Sequence, residues 1–327
     1  MLLPGFVDLQ VNGFRGVDFI NPELTEEDFV RICHEVFGVG TSVFLPTLVT
    51  AHEDVYCRNL PMLASLIDSD ELKGQVPGFH IEGPFISPEP GARGVHMPEL
   101  IIDPDIGYFD RLQEYAQGKI KLLTIAPEVN GAEELTRHAV KNGVTVSLGH
   151  HAGTADDVSR LADAGATALT HLGNGIPRTI DRHENPLMAG MAEDRVTAMI
   201  ISDGHHIPPA VIKVIAKAKG LAKLAIVSDA SPIAGMPPGR YKSMGGEVVL
   251  LENGLLHDPD KGYLAGSSAM MLDCMNVLAS VLPLGIDDLM QLGYHNPLGL
   301  IGLDAASVPQ SDTQVEFDEE TRVFTVQ

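Results

Sequence analysis

Positive charge is scarce in this chain: 22 lysines and arginines stand against 44 aspartates and glutamates, a net charge of −22. A field of that sign repels nucleic acid and anionic membrane surfaces, so neither is an expected partner. An anionic substrate would have to be met by local positive groups. Cysteine is scarcer still. Cys33, Cys57 and Cys274 are odd in number and far apart, which argues against a disulfide framework or a thiolate zinc knuckle. Neither a signal peptide nor an apolar run long enough to span a bilayer is found, and no repeat or low-complexity segment either. The expectation is a soluble, cytoplasmic protein. Hydrophobic residues, by contrast, make up 44% of 327, enough for one large α/β barrel or two ordinary domains.

The organising stretch lies just before the middle. TVSLGHH (145–151) and TALTHLGNG (167–175) are short apolar runs that each end abruptly in histidine, His150 and His171. Between them Thr154 and Asp157 make a capping box, Val158, Leu161 and Ala162 an apolar stripe, and Gly165 a stop. Strand, helix, strand at this spacing is a βαβ unit, whose parallel strands send both imidazoles out of one sheet edge. The same alternation runs along the chain. Strands are expected at GFVDLQVNG (5–13), TSVFLPTL (41–48), QVPGFHIEG (75–83), IKLLTIAPE (120–128), RVTAMIISDG (195–204) and LAIVSDA (224–230). Helices are expected after Thr25, through the fifties and sixties, around 131–142, from Pro208-Pro209 to Gly220, and near 268–282.

Eight strands alternating with helices predict a (β/α)8 TIM-type barrel, with a doubly wound sheet as the other topology that alternation allows. Residues 239–266 and 313–327 break the pattern and read as β-hairpins. The expected division is therefore a barrel over 1–238 and 267–312, with 239–266 and 313–327 as the remnant of a small β subdomain. The Pro/Gly-rich stretch 83–99 is too long for a simple connection and is a candidate functional loop.

Polar residues fall at strand carboxyl ends, where a barrel keeps its chemistry: Gln10, Asn12, Thr47, Glu82, His150, His171, Asp203 and Asp229. Glu82, His150 and His171 combine a carboxylate with two imidazoles. Three protein ligands leave a fourth position for water, as in a catalytic metal site. Asp229, ending the eighth strand, is the natural general base. His80 and His151 neighbour these residues but are expected to pack around them. His34, His52, His138, His257 and His295 read as solvated. His96 in the long loop and His205-His206 after the seventh strand could reach a substrate, and Arg182 in PRTIDRHEN (177–185) could hold a phosphate or carboxylate.

Taken in order, PGFVDLQVNG, LPTLVT, HIEGPFISPEPGARGVH, APE, SLGHH, THLGNGIP, SDGHH, VSDASPIAG, LAGSSAMM and NPLGLIGL resemble the amidohydrolase superfamily and, within it, the N-acetylglucosamine-6-phosphate deacetylase family. The resemblance implies hydrolysis of the acetamide of an amino-sugar 6-phosphate, with Glu82, His150 and His171 holding the metal and Asp229 activating water and then protonating the leaving amine. It further implies that His96 polarises the amide carbonyl. Asn174, Gly175, Arg182, His206, Leu264, Ala265 and Gly266 would contact sugar and phosphate, Arg182 across a homodimer interface. Many amidohydrolases carry His-x-His on strand one. Gln10 and Asn12 stand there instead, which points to a single divalent ion per chain, zinc first and Fe2+ or another divalent metal next. Gly173 and Gly175 replace the tyrosine and alanine frequent in that family, and IDRHEN replaces a Gly-Arg-Glu-Pro. The family's N-terminal β-strands are also missing, so either the chain starts late or its β-domain is reduced. Two other readings stand beside this one: an amidohydrolase for a different N-acyl sugar or N-acyl amino acid, and a non-catalytic sugar-phosphate-binding barrel.

Overall fold

Strand-forming runs rich in Val, Ile, Leu and Phe are buried on both faces in the computed structural model, which describes residues 2–243, 246–260, 262–309 and 312–327. Eight of them make one parallel sheet in sequence order: β1 (Phe6–Val11), β2 (Thr41–Val49), β3 (Phe79–Glu82), β4 (Ile120–Ile125), β5 (Thr145–Leu148), β6 (Ala168–Leu169), β7 (Thr197–Ile201) and β8 (Leu224–Val227). The sheet closes on itself where Val11 bridges Ala230 in parallel and the Asn12 N–H donates to the Ala230 carbonyl at 2.8 Å. Closure excludes the doubly wound alternative and makes the architecture a TIM-type barrel. At this seam the buried Asp8 accepts hydrogen bonds from the Ser228 amide (3.1 Å) and hydroxyl.

The helices follow their capping signals. In α1 (Glu26–Phe37) the Thr25 hydroxyl accepts from the Asp28 amide, and Phe29, Ile32, Cys33, Val36 and Phe37 turn inward as their 3.6-residue spacing requires. Next come α2 (Glu53–Leu66), α3 (Ile106–Tyr115) and α4 (Ala132–Lys141). The Thr154–Asp157 box is complete at the start of α5 (Ala155–Asp163). It is followed by α6 (Pro186–Ala192), α7 (Pro209–Lys219), which opens on proline and ends at Gly220, and α8 (Met271–Val281).

Several elements depart from expectation. The sixth strand is only two residues long, because the chain leaves the sheet early to turn at His171. Helix α3, capped by the Asp105 carboxylate, was not signalled, nor was the short strand Leu2–Pro4. The two hairpins belong to different antiparallel sheets. Gln314–Asp318 pairs with Leu2–Pro4 and with Val323–Val326. Gly239–Ser243, Gly246–Leu250 and Leu256–His257 form the other sheet, over a small apolar cluster of Ile233, Val248, Leu250, Leu256 and Ala265. Of the expected 239–266 hairpin, residues 244, 245 and 261 lie outside the described residues.

Candidate metal centre and active-site cavity

Strand ends deliver the polar residues. Glu82 is the last residue of β3; His150, His171 and Asp229 each stand two residues beyond the last residue of β5, β6 and β8. All three of the latter hold positive φ, 51°, 32° and 51°. Left-handed backbone at a non-glycine residue is strained and persists where surrounding structure enforces it. Here the turn folds each side chain inward over the barrel mouth instead of along the strand.

The three sequence-proposed ligands meet. Glu82 Oε1 lies 3.1 Å from His150 Nε2 and 3.0 Å from His171 Nε2, and the two imidazole nitrogens are 3.1 Å apart. Donor atoms about 2.1 Å from a tetrahedral ion would be about 3.4 Å from one another, so the set fits a divalent metal after a small outward shift. Among the described residues it is the cluster of titratable side chains with that geometry. His150 Nδ1 is 2.8 Å from the Ala92 carbonyl, to which it donates. That bond fixes the tautomer and leaves the Nε2 lone pair for a cation. The long 83–99 loop therefore supports a candidate ligand, and the lack of a side chain at Gly175 lets its backbone approach the same ring: a Cβ there would be 2.8 Å from His150 Nδ1.

Burial raises the Glu82 carboxyl, but hydrogen bonds and charge from His150 and His171 outweigh it and hold the group well below the ordinary range. Burial lowers His171, yet its bond to Glu82 brings it above the usual value. Asp229 is pushed up to about 6 by burial and by the charge of Glu82. Gln10 Nε2 donates to Glu82 Oε1 at 2.8 Å and to Asp229 Oδ1 at 3.0 Å, and Asn12 Nδ2 donates to the same Asp229 oxygen at 2.7 Å.

His80 and His151 pack beside the centre. His80 lies inside the barrel between Thr47 (3.3 Å) and Thr124 (2.8 Å), and burial lowers it to about 4. His151, its Nδ1 accepting from the Gly153 amide at 3.2 Å, is lowered by burial to about 3.

A cavity of about 530 Å³ opens above the cluster. Glu82, His96, His150, His171, Asn174, Gly175, His206, Asp229, Leu264 and Gly266 line it; Ala265 instead joins the small apolar cluster. His96 is buried, its Nδ1 2.6 Å from the Thr50 hydroxyl, and burial and the neighbouring His150 lower it to about 3, so the ring is neutral. His206 Nδ1 donates to Asp203 at 2.8 Å; burial raises that carboxyl, but the bond to His206 brings it down to about 2. Arg182 is exposed and outside the cavity walls. Arg178, four residues earlier in the same segment, lines them, its guanidinium 5.8 Å from the Tyr263 ring centroid. Nothing in the sequence singles out Arg178 or Tyr263, and the strand-end positions of Gln10 and Asn12 do not reveal that both bond to Asp229.

The amidohydrolase family model matches residues 1–279. The chain is 31% identical over 344 residues to the N-acetylgalactosamine-6-phosphate deacetylase of Shewanella sp. (strain ANA-3), covering 99% of this chain and 81% of that one. It is 32% identical over 278 residues to the N-acetylglucosamine-6-phosphate deacetylase of Bacillus subtilis (strain 168), covering 83% and 68%. A solved variant of the N-acetyl-D-glucosamine-6-phosphate deacetylase from Mycobacterium smegmatis, in complex with N-acetyl-D-glucosamine-6-phosphate, superposes with a TM-score of 0.88 at 29% identity, covering 100% of this chain and 85% of that one.

Proposed function

Since the chain belongs to the amidohydrolase family and, within it, to the deacetylases of N-acetylated amino-sugar 6-phosphates, we propose that it hydrolyses the acetamide of such a sugar phosphate, giving acetate and the free amine. The observation that carries this reading is one cavity lined at once by the Glu82–His150–His171 cluster and by Asp229. Members of the family depend on a metal, and the donor set supports one divalent ion per chain held by these three residues, zinc first. Bound there, the ion supplies Lewis acidity and lowers the pKa of water.

The remaining work belongs to the chain. Asp229, on the cavity wall beside the three-residue cluster, takes the proton of the attacking water and returns it to the leaving nitrogen. With its Nδ1 taken up by the Thr50 hydroxyl at 2.6 Å, neutral His96 has its Nε2 left for the substrate carbonyl. Asn174, the Gly175 backbone, His206 and the 264–266 stretch serve the sugar, His206 being held in one tautomer by Asp203. For the phosphate the chain offers Arg178 from its own cavity wall, while Arg182, exposed and outside it, would serve a second copy in a homodimer.

Acetate release from a panel of N-acetylated sugars, each with and without 6-phosphate, tests the reading. The 6-phosphates of N-acetylglucosamine or N-acetylgalactosamine are expected to lead the panel. Preference for an N-acyl amino acid, or no release from any metal-loaded preparation, would contradict it.

A further inference from the structure

We propose that Gln10 is a positioning residue whose carboxamide clamps Asp229 to Glu82 and fills, with hydrogens, the place from which a second cation would bridge them. The inference rests on the reading of Glu82 as a metal ligand and Asp229 as the base. Two buried carboxylates share this site, and among the described residues no lysine or arginine bonds to either. Both need donors, since an ionised carboxylate can only accept. A single nitrogen, Gln10 Nε2, stands 2.8 Å from Glu82 Oε1 and 3.0 Å from Asp229 Oδ1, giving one hydrogen to each.

The amide's orientation follows from this. Its other end, Gln10 Oε1, is buried with no hydrogen-bond partner, and Asn12, which also donates to Asp229, likewise leaves its oxygen unpaired. Both amides are thus turned with their N–H groups on the carboxylates. The side chain is fully buried on β1, and its two bonds to carboxylates set which end of the amide faces them. A cation bridging the two oxygens would need to lie about 2.0–2.2 Å from each. Approaching from β1, it meets the amide nitrogen, which presents hydrogens and no lone pair. Gln10 thereby takes over the spacing role of a second ion while keeping the site to one.

The test uses full-length protein saturated with zinc and desalted, with metal counted by elemental analysis and kinetics measured on the phosphorylated sugar. Gln10→Glu, of the same shape but offering lone pairs, is expected to raise the count from one equivalent to two. Gln10→Met is expected to keep one equivalent and a KM within about threefold of the original, while kcat falls about 10–100-fold, the scale of losing hydrogen bonds to charged groups. A Gln10→Glu protein that stays at one equivalent, or a Gln10→Met protein with unimpaired kcat, would overturn the proposal. Should Gln10→Met not fold, the Gln10→Glu count decides alone. Counting metal needs no substrate, so a wrong sugar leaves the test intact. Wild-type acetate release alongside an unimpaired Gln10→Met would remove the clamp and leave the proposed reaction standing.

Discussion

Among the described residues, Arg178 is the one lysine or arginine that lines the cavity, in a chain whose net charge of −22 disfavours a sugar phosphate. Its backbone is packed closely under the long loop: a Cβ on Gly91 would stand 3.0 Å from the Arg178 nitrogen. Arg178→Ala is expected to raise KM for a 6-phosphorylated substrate about 10–100-fold, the scale of a charge-assisted contact, with little effect on the unphosphorylated sugar. Acetate-release kinetics on both substrates check this, and equal losses would make the residue structural. The same assay on Arg182→Ala reports whether a second copy lends that side chain. Histidines and acids at the ends of apolar strands were legible in the sequence, because a polar residue there has few purposes. Which arginine of 177–185 faces the cavity was not legible, since it depends on how a loop ninety residues earlier packs against the segment.

Strands and helices carried local signals wherever their structure is locally determined. The Thr25 and Thr154 caps, the apolar faces of α1 and α5 and the proline-to-glycine span of α7 all stand where the sequence puts them. Leu2–Pro4 did not announce itself, because its partner strand begins at Gln314, at the other end of the chain. The β1–β8 seam is equally non-local, and it contains a titrating group. Burial pushes Asp8 up to about 7, against about 3.9 in an unfolded chain. Because the folded value is the higher one, the stability this group contributes is full below about pH 4 and is lost as pH rises through about 7. Asp8→Asn, which cannot ionise, is therefore expected to lose less thermal stability than the original protein between pH 5 and pH 8. Melting curves at matched metal saturation that run parallel for the two proteins would contradict this.

At the scale of the whole molecule, the barrel places its strained residues where its chemistry is proposed. Three of the six non-glycine residues at positive φ among those described are His150, His171 and Asp229. The alternation of strand and helix narrowed the fold to a barrel or a doubly wound sheet, and contacts across the seam such as the Val11–Ala230 bridge, between residues more than two hundred positions apart, separate them. Local pattern cannot contain such a contact. The site follows from that closure, because β1 brings Gln10 and Asn12 to the Asp229 carboxylate only when the sheet meets itself. The most direct test of the account is the turnover of Asp229→Asn protein carrying its metal. The asparagine keeps the shape but takes no proton, so kcat for the phosphorylated sugar should fall by at least about 10²–10⁴-fold, with one equivalent of metal still bound to Glu82, His150 and His171. Normal turnover, or loss of the metal along with activity, would show that Asp229 is not the base and contradict the account.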